Sequence, residues 1–115
     1  MSIRRLVVLV AALQLGGCAG TFGTQAALYD QLTDQDVILA ADNLQQALET
    51  LPDGSTGRWT NAGNGHSGTV TPTSTYLSAG GHFCRDYIED LRLGDQEGQF
   101  RHTACREGEA GWVWL

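Results

Sequence analysis

The chain has 115 residues, with seven basic and thirteen acidic residues giving a formal net charge of −6, which is room for one small domain and excludes a doubly wound enzyme or a large barrel. Its 42% hydrophobic content, fifteen Gly and two Pro describe a foldable, turn-rich chain, neither a disordered tail nor a repeat array. Every basic residue is Arg, and an acidic chain without a clustered basic face argues against nucleic acid as a partner.

Met1 to Arg5 carries Arg4 and Arg5, and an almost unbroken apolar run from Leu6 to Leu15 follows before Gly16 and Gly17. That order is a secretory signal peptide over residues 1–17. Ten helical residues reach roughly 15 Å, about half of a bilayer's hydrocarbon core, which is too short for a transmembrane span. Leu15-Gly16-Gly17-Cys18 resembles the bacterial lipobox, and this resemblance implies cleavage before Cys18 and acylation of that cysteine. Two or more acyl chains anchor a protein stably to a membrane. Ala19, rather than Asp, follows the cysteine, as in lipoproteins forwarded to the outer membrane. The competing reading is an ordinary cleaved signal peptide with a stray cysteine. Cleavage would also remove two of the seven arginines and leave a net charge of −8.

Residues 18–32 read as a lipid-anchored tether, Gly-, Thr-, Ala- and Gln-rich without a strong period, whose Phe22, Leu28 and Tyr29 are available to dock. Residues 33–115 read as the domain. Thr33 is placed as a helix N-cap, with Asp36 three residues on and Asp34 in the first turn, where the helix dipole favours negative charge. Val37, Ala41, Leu44, Leu48 and Leu51 form one stripe of a 3.6-residue period, predicting a helix from Asp34 to Leu51. Pro52-Asp53-Gly54 stops it.

Beyond Gly54, β-branched and aromatic runs separated by glycines predict five strands over 57–61, 68–77, 82–93, 96–107 and 111–115. Short connections make neighbours antiparallel, so the fold class is α+β: an N-terminal helix packed on a small antiparallel β-meander of about five strands. Pro72, which lacks an amide donor, marks an edge or a break in the second of them.

If Gly94-Asp95 is a two-residue hairpin turn, opposed residues carry numbers that sum to 189, as those of Cys84 and Cys105 do. In an exported chain the expectation is a disulfide. A turn at Glu97-Gly98 would instead leave the two thiols diagonal. A zinc site from His82, Cys84, His102 and Cys105 is the rival reading, but His102 lies three residues from Cys105 and in a regular strand faces the other way. No metal, cofactor or catalytic constellation is expected. His66, in a glycine-rich turn, reads as an exposed turn residue. Ser67 lacks the setting of a nucleophile elbow.

Ala47-Leu48-Glu49, Trp59-Thr60-Asn61, Ser67-Gly68, Thr69-Val70-Thr71-Pro72, Tyr76, Cys84-Arg85-Asp86-Tyr87, Ala104-Cys105-Arg106 and Gly111-Trp112 together resemble the C-terminal domain of the rickettsial-type, seventeen-kilodalton surface antigens. The resemblance covers about residues 37–115 and implies a bacterial outer-membrane lipoprotein with a structural role rather than a reaction. Many members carry a glycine-zipper hairpin after the lipidated cysteine, and residues 19–55 hold no such series.

Two readings of function follow. One is a non-enzymatic envelope lipoprotein with a protein partner or a second copy of itself. Its contact surface would include Trp112 and Trp114, which share one strand face. The other is a module for small anionic ligands or glycans using Arg85 and Arg106, which the 189 register sets diagonally on one face about 7 to 8 Å apart. Its alternative is that these arginines pair with internal acids.

Overall fold

The computed structural model describes residues 21–115, so the signal segment 1–17 and Cys18 lie outside the described residues. Strand β1 (Thr21–Phe22) and helix α1 (Gln25–Tyr29) come first, followed by helix α2 (Asp34–Thr50). Strands β2 (Gly57–Thr60), β3 (Ser67–Leu77), β4 (Phe83–Leu93), β5 (Gln96–Arg106) and β6 (Trp112–Trp114) complete the chain. β2 to β6 pair antiparallel in chain order, the expected meander, while β1 adds in parallel to β5 beside Gln96 and Glu97. The stretch read as a tether with residues available to dock carries β1 and α1 from residue 21 onward, and Leu28 in α1 is fully buried.

Helix α2 starts where its local chemistry places it. Thr33 Oγ1 accepts from the Asp36 N–H at 3.1 Å, and the Asp36 carboxylate accepts from the Thr33 N–H at 2.9 Å, a complete capping box. The buried stripe differs from the expected one. Leu44, Ala47, Leu48 and Leu51 pack inward, whereas Val37 is 50% exposed and Ala41 also faces solvent. Asp36 takes the inward position at the first turn, so the helix is rotated toward Asp36, Ala40 and Asn43. Apolar spacing alone ignores an inward-facing carboxylate.

The core lies between α2 and the inner face of the sheet. Tyr87, Val70, Ala104 and Trp112 pack on Ala47 and Leu48. Nearer the start of α2, Leu28, Trp59, Leu91 and Leu93 form the second cluster. Leu91 lies between Gly68 and Gly98 on the flanking strands. A Cβ on Gly68 would stand 2.4 Å from the Trp59 indole nitrogen, and one on Gly98 would stand 2.6 Å from Leu28. The two missing side chains thus make room for Trp59 and Leu28.

Gly94 (φ 65°) and Asp95 make the β4–β5 turn, Leu93 pairs with Gln96, and Cys84 faces Cys105 in a disulfide with Cα atoms 4.0 Å apart. Pro72 sits where β3 shifts register against β4 between Pro72 and Ser74. It lies beyond the pairing with β2, whose outermost pair is Gly57 with Val70, so its missing N–H leaves no bond to β2 unmade.

Candidate functional site

Three groups of ionisable side chains hold the inner side of the molecule. At the start of α2, Asp36 is fully buried and takes four donors. Besides the Thr33 N–H, these are Asn61 Nδ2 at 2.7 Å, Asn64 Nδ2 at 3.2 Å and His66 Nδ1 at 2.7 Å. A carboxylate only accepts, so Nδ1 of His66 carries the proton. Burial alone would raise the Asp36 pKa, but the bonds from His66, Thr33, Asn61 and Asn64 outweigh it and hold the carboxyl well below the usual range. His66 is correspondingly not an exposed turn residue; its side chain is 17% exposed. The β2–β3 turn wraps the helix cap because Asn61, Asn64 and His66 all reach one carboxylate. The signal in the sequence was the concentration of Asn and His in a single turn, whose target 25 residues upstream could not be seen.

The second group joins α1 to the sheet. Glu89 accepts from the Tyr29 hydroxyl and from His102 Nε2, the latter at 3.0 Å. Trp114 stacks on His102 with centroids 5.1 Å apart and planes 6° apart, and Tyr29 stacks on Trp114 at 6.0 Å. Burial, then the Glu89 hydrogen bond and charge, push the Tyr29 phenol far above its ordinary pKa. The buried Tyr87 hydroxyl beside this group has no hydrogen-bond partner among the described residues. His66 bonds to the Asp36 carboxylate, and His102 to Glu89 and, at 3.3 Å, to the Tyr29 hydroxyl; neither is hydrogen-bonded to a Ser, Thr or Cys side chain among the described residues.

The third group holds the end of α2. Arg85 is 6% exposed and donates to the Leu48 carbonyl at 2.7 Å, Thr75 Oγ1 at 2.9 Å and Asp53 Oδ1 at 2.9 Å. It satisfies a carbonyl in the last turn of the helix with a cation, where the dipole favours one. Arg106 pairs with Glu49, which also accepts from the Trp112 indole N–H at 3.0 Å. The Trp112 bond first, and the Arg106 pair after it, lower the Glu49 pKa against the effect of burial. Arg85 and Arg106 do share the inner face, but each is tied to an acid of the chain instead of converging on open space.

The remaining expected site residues separate. Cys84 and Cys105 have both sulfurs in the disulfide, and His82 is exposed on the β3–β4 hairpin. Trp112 and Trp114 share a face, but Trp112 is buried, its backbone N–H and C=O both paired with the Gln45 side chain. Trp114 is 48% exposed. The two do not form one exposed pair because the end of α2 covers Trp112. Tyr29 and Leu28 reach the same inner face, the cover that the apolar residues before Thr33 made available.

The outer face of the sheet is polar and uncovered. A shallow groove of about 490 Å³ crosses it, lined by Arg58, Thr69, Asp90 and Gln99 together with Arg92 and Glu97. Asp90 accepts from Thr69 at 3.3 Å and Gln99 at 3.0 Å, and Asp86 accepts from Ser74, Tyr76 and Thr103. The Thr103 bond, against burial and with help from Ser74 and Tyr76, lowers the Asp86 pKa.

A helix laid on a meander, closed by one disulfide and by Arg-acid pairs at the helix end, is the architecture present. Residues 46–113, more than half of the chain, match the family model of the 17 kDa outer membrane surface antigen, and the chain belongs to that family. It is 38% identical over 81 residues to the 17 kDa surface antigen of Rickettsia bellii, covering 70% of this chain and 51% of that protein. The corresponding antigen of Rickettsia prowazekii is 37% identical over 79 residues, covering 69% and 50% of the two chains. The chain thus spans about half the length of the curated relatives it matches. No solved structure matches it. The matched region contains Cys84, Cys105, Arg85, Arg106 and Trp112, but not Cys18, Tyr29 or Asp36.

Proposed function

We propose that this chain is an outer-membrane lipoprotein of the bacterial envelope, anchored through lipid on Cys18, with a structural or protein-interaction role and no catalysis of its own. The carrying observation is the junction of Leu15-Gly16-Gly17-Cys18 with the fold: the first strand begins at Thr21, three positions after the cysteine. An acyl anchor at Cys18 would hold the domain at the membrane without a further linker. Membership in a family described as outer membrane surface antigens supports the location. The employment of Asp36, Glu89 and Arg85 as ties between α1, α2 and the sheet supports a structural duty for the groups with most chemical potential. Trp114, half-exposed beside Leu115, is the residue best placed to meet an envelope protein or a second copy.

Cys18→Ala should abolish incorporation of a fatty-acid analogue and release the chain from the membrane fraction, while the Cys84–Cys105 disulfide stays intact. Labelling that persists in this variant overturns the anchor.

A further inference from the structure

The five arginines after Cys18 divide by face. Arg85 and Arg106 lie on the helix side with acid partners. Arg58, Arg92 and Arg101 are all exposed, and strand alternation places all three on the outer face: Arg58 pairs with Thr69, Arg92 with Ser67 and Glu97, and Arg101 with Ile88. Of the thirteen acids only Asp86, Asp90 and Glu97 share that face. Asp86 and Asp90 are occupied by hydroxyl and amide donors, and Glu97 by Arg92 at 3.2 Å. Arg58 and Arg101 have no acid partner among the described residues. The other ten acids lie on α2, in the loops or, like Glu89, on the covered face.

A strongly acidic domain therefore has one electrically balanced face, and that face carries three of its four exposed arginines. Apolar groups border it: Tyr76 is 41% and Val113 is 42% exposed, in one row with the disulfide. No Asp, Glu, Lys or Arg occurs from Trp59 to Cys84. At the other end of the sheet, β1 pairs with Gln96 and Glu97, beside Arg92. Three residues span at most about 10 Å, so an anchor at Cys18 would hold this edge close to the lipid.

We propose that the outer face of the sheet lies against anionic lipid headgroups of the bilayer, with Arg58, Arg92 and Arg101 toward the phosphates and α2 with its acids turned to water. This rests on the anchor proposed above. A tether makes docking intramolecular, at a high effective concentration, so weak contacts suffice to orient the domain. The negative surface potential attracts arginines and repels the acidic helix side within a Debye length.

The test uses the chain as processed in the cell, isolated from the envelope in detergent and reconstituted with vesicles. A dye is placed on the outer face through Gln99→Cys or on the exposed side of α2 through Gln46→Cys, and its accessibility to a neutral soluble quencher is measured. In vesicles containing phosphatidylglycerol at low salt, quenching at position 99 should be about threefold weaker than at position 46. High salt should remove the difference, as should Arg58→Gln with Arg101→Gln. Both side chains are exposed and lack acid partners, and circular dichroism checks that this variant folds; the salt measurement needs no variant. Equal quenching at the two positions, or shielding indifferent to salt, overturns the docking. Flotation with zwitterionic vesicles reports the anchor separately: a chain that floats there yet shows equal quenching refutes the docked face alone. One that fails to float refutes the anchor.

Discussion

The two faces of the sheet use charge in opposite ways. On the inner face, Asp36, Glu89 and Arg85 are almost entirely out of water, and each is surrounded by partners from other elements. On the outer face, Arg58, Arg92 and Arg101 stand in solvent, and the acids beside them are held by neighbours in the same sheet. A buried ion left without its partner is costly, whereas an exposed pair contributes little. Inner charges should therefore determine whether the domain folds, and outer charges what it meets.

The largest effect is expected at Asp36. Asp36→Ala removes the carboxylate half of the capping box and leaves Asn61, Asn64 and His66 without their acceptor, and should lower stability by roughly 3 to 4 kcal/mol, read from the urea midpoint. The same residue sets an acid dependence. Its folded-state pKa lies below the unfolded value, so its contribution is present above the ordinary carboxylate range and is lost as pH falls through that range toward the folded value. Thermal unfolding scans on the acid side should show a flatter loss in Asp36→Ala than in the parent chain.

Next comes the disulfide between Cys84 and Cys105. Replacing Cys84 and Cys105 together by Ser opens a loop with a sequence separation of 21 residues, at a cost of about 3 kcal/mol in the chain-entropy model. Chemical denaturation with and without reductant should show the parent shifting and the double variant not.

A smaller effect is expected where α1 meets the sheet. Tyr29→Phe keeps the ring stacked on Trp114 but withdraws one donor from Glu89, for about 1 kcal/mol. Limited proteolysis near Thr24 should speed up more than global unfolding does, since the lost bond ties α1 alone to the sheet. At the bottom of the order stands Arg58→Gln on the outer face, which should leave the melting temperature within about 1 °C. A large shift there would erase the contrast between the faces.

Local chemistry in the chain was sufficient for several features. Thr33 and Asp36 determine the start of α2 because both members of a capping box lie within one turn. Gly94-Asp95 sets the β4–β5 register, and that register brings Cys84 opposite Cys105, because antiparallel pairing propagates from a two-residue turn by simple counting. The family was readable from the Cys-Arg pairs and the terminal Gly-Trp.

Other features were decided only by packing. Which way α2 faces depends on Asn61, Asn64 and His66 reaching Asp36 across 25 to 30 positions, and apolar spacing pointed instead to Val37 and Ala41. Arg85 and Arg106 looked alike as neighbours on one face, yet their partners Asp53 and Glu49 become adjacent only when the helix end lies over the sheet. The same approach separates Trp112, covered by Gln45 and Glu49, from Trp114, which stacks on His102 and Tyr29 and stays half in water. Capping and hairpin register follow from residues a few positions apart, whose geometry the backbone limits to a few states. The environment of a buried charge or an aromatic ring depends on contacts between distant segments, and only the packed tertiary structure brings those together.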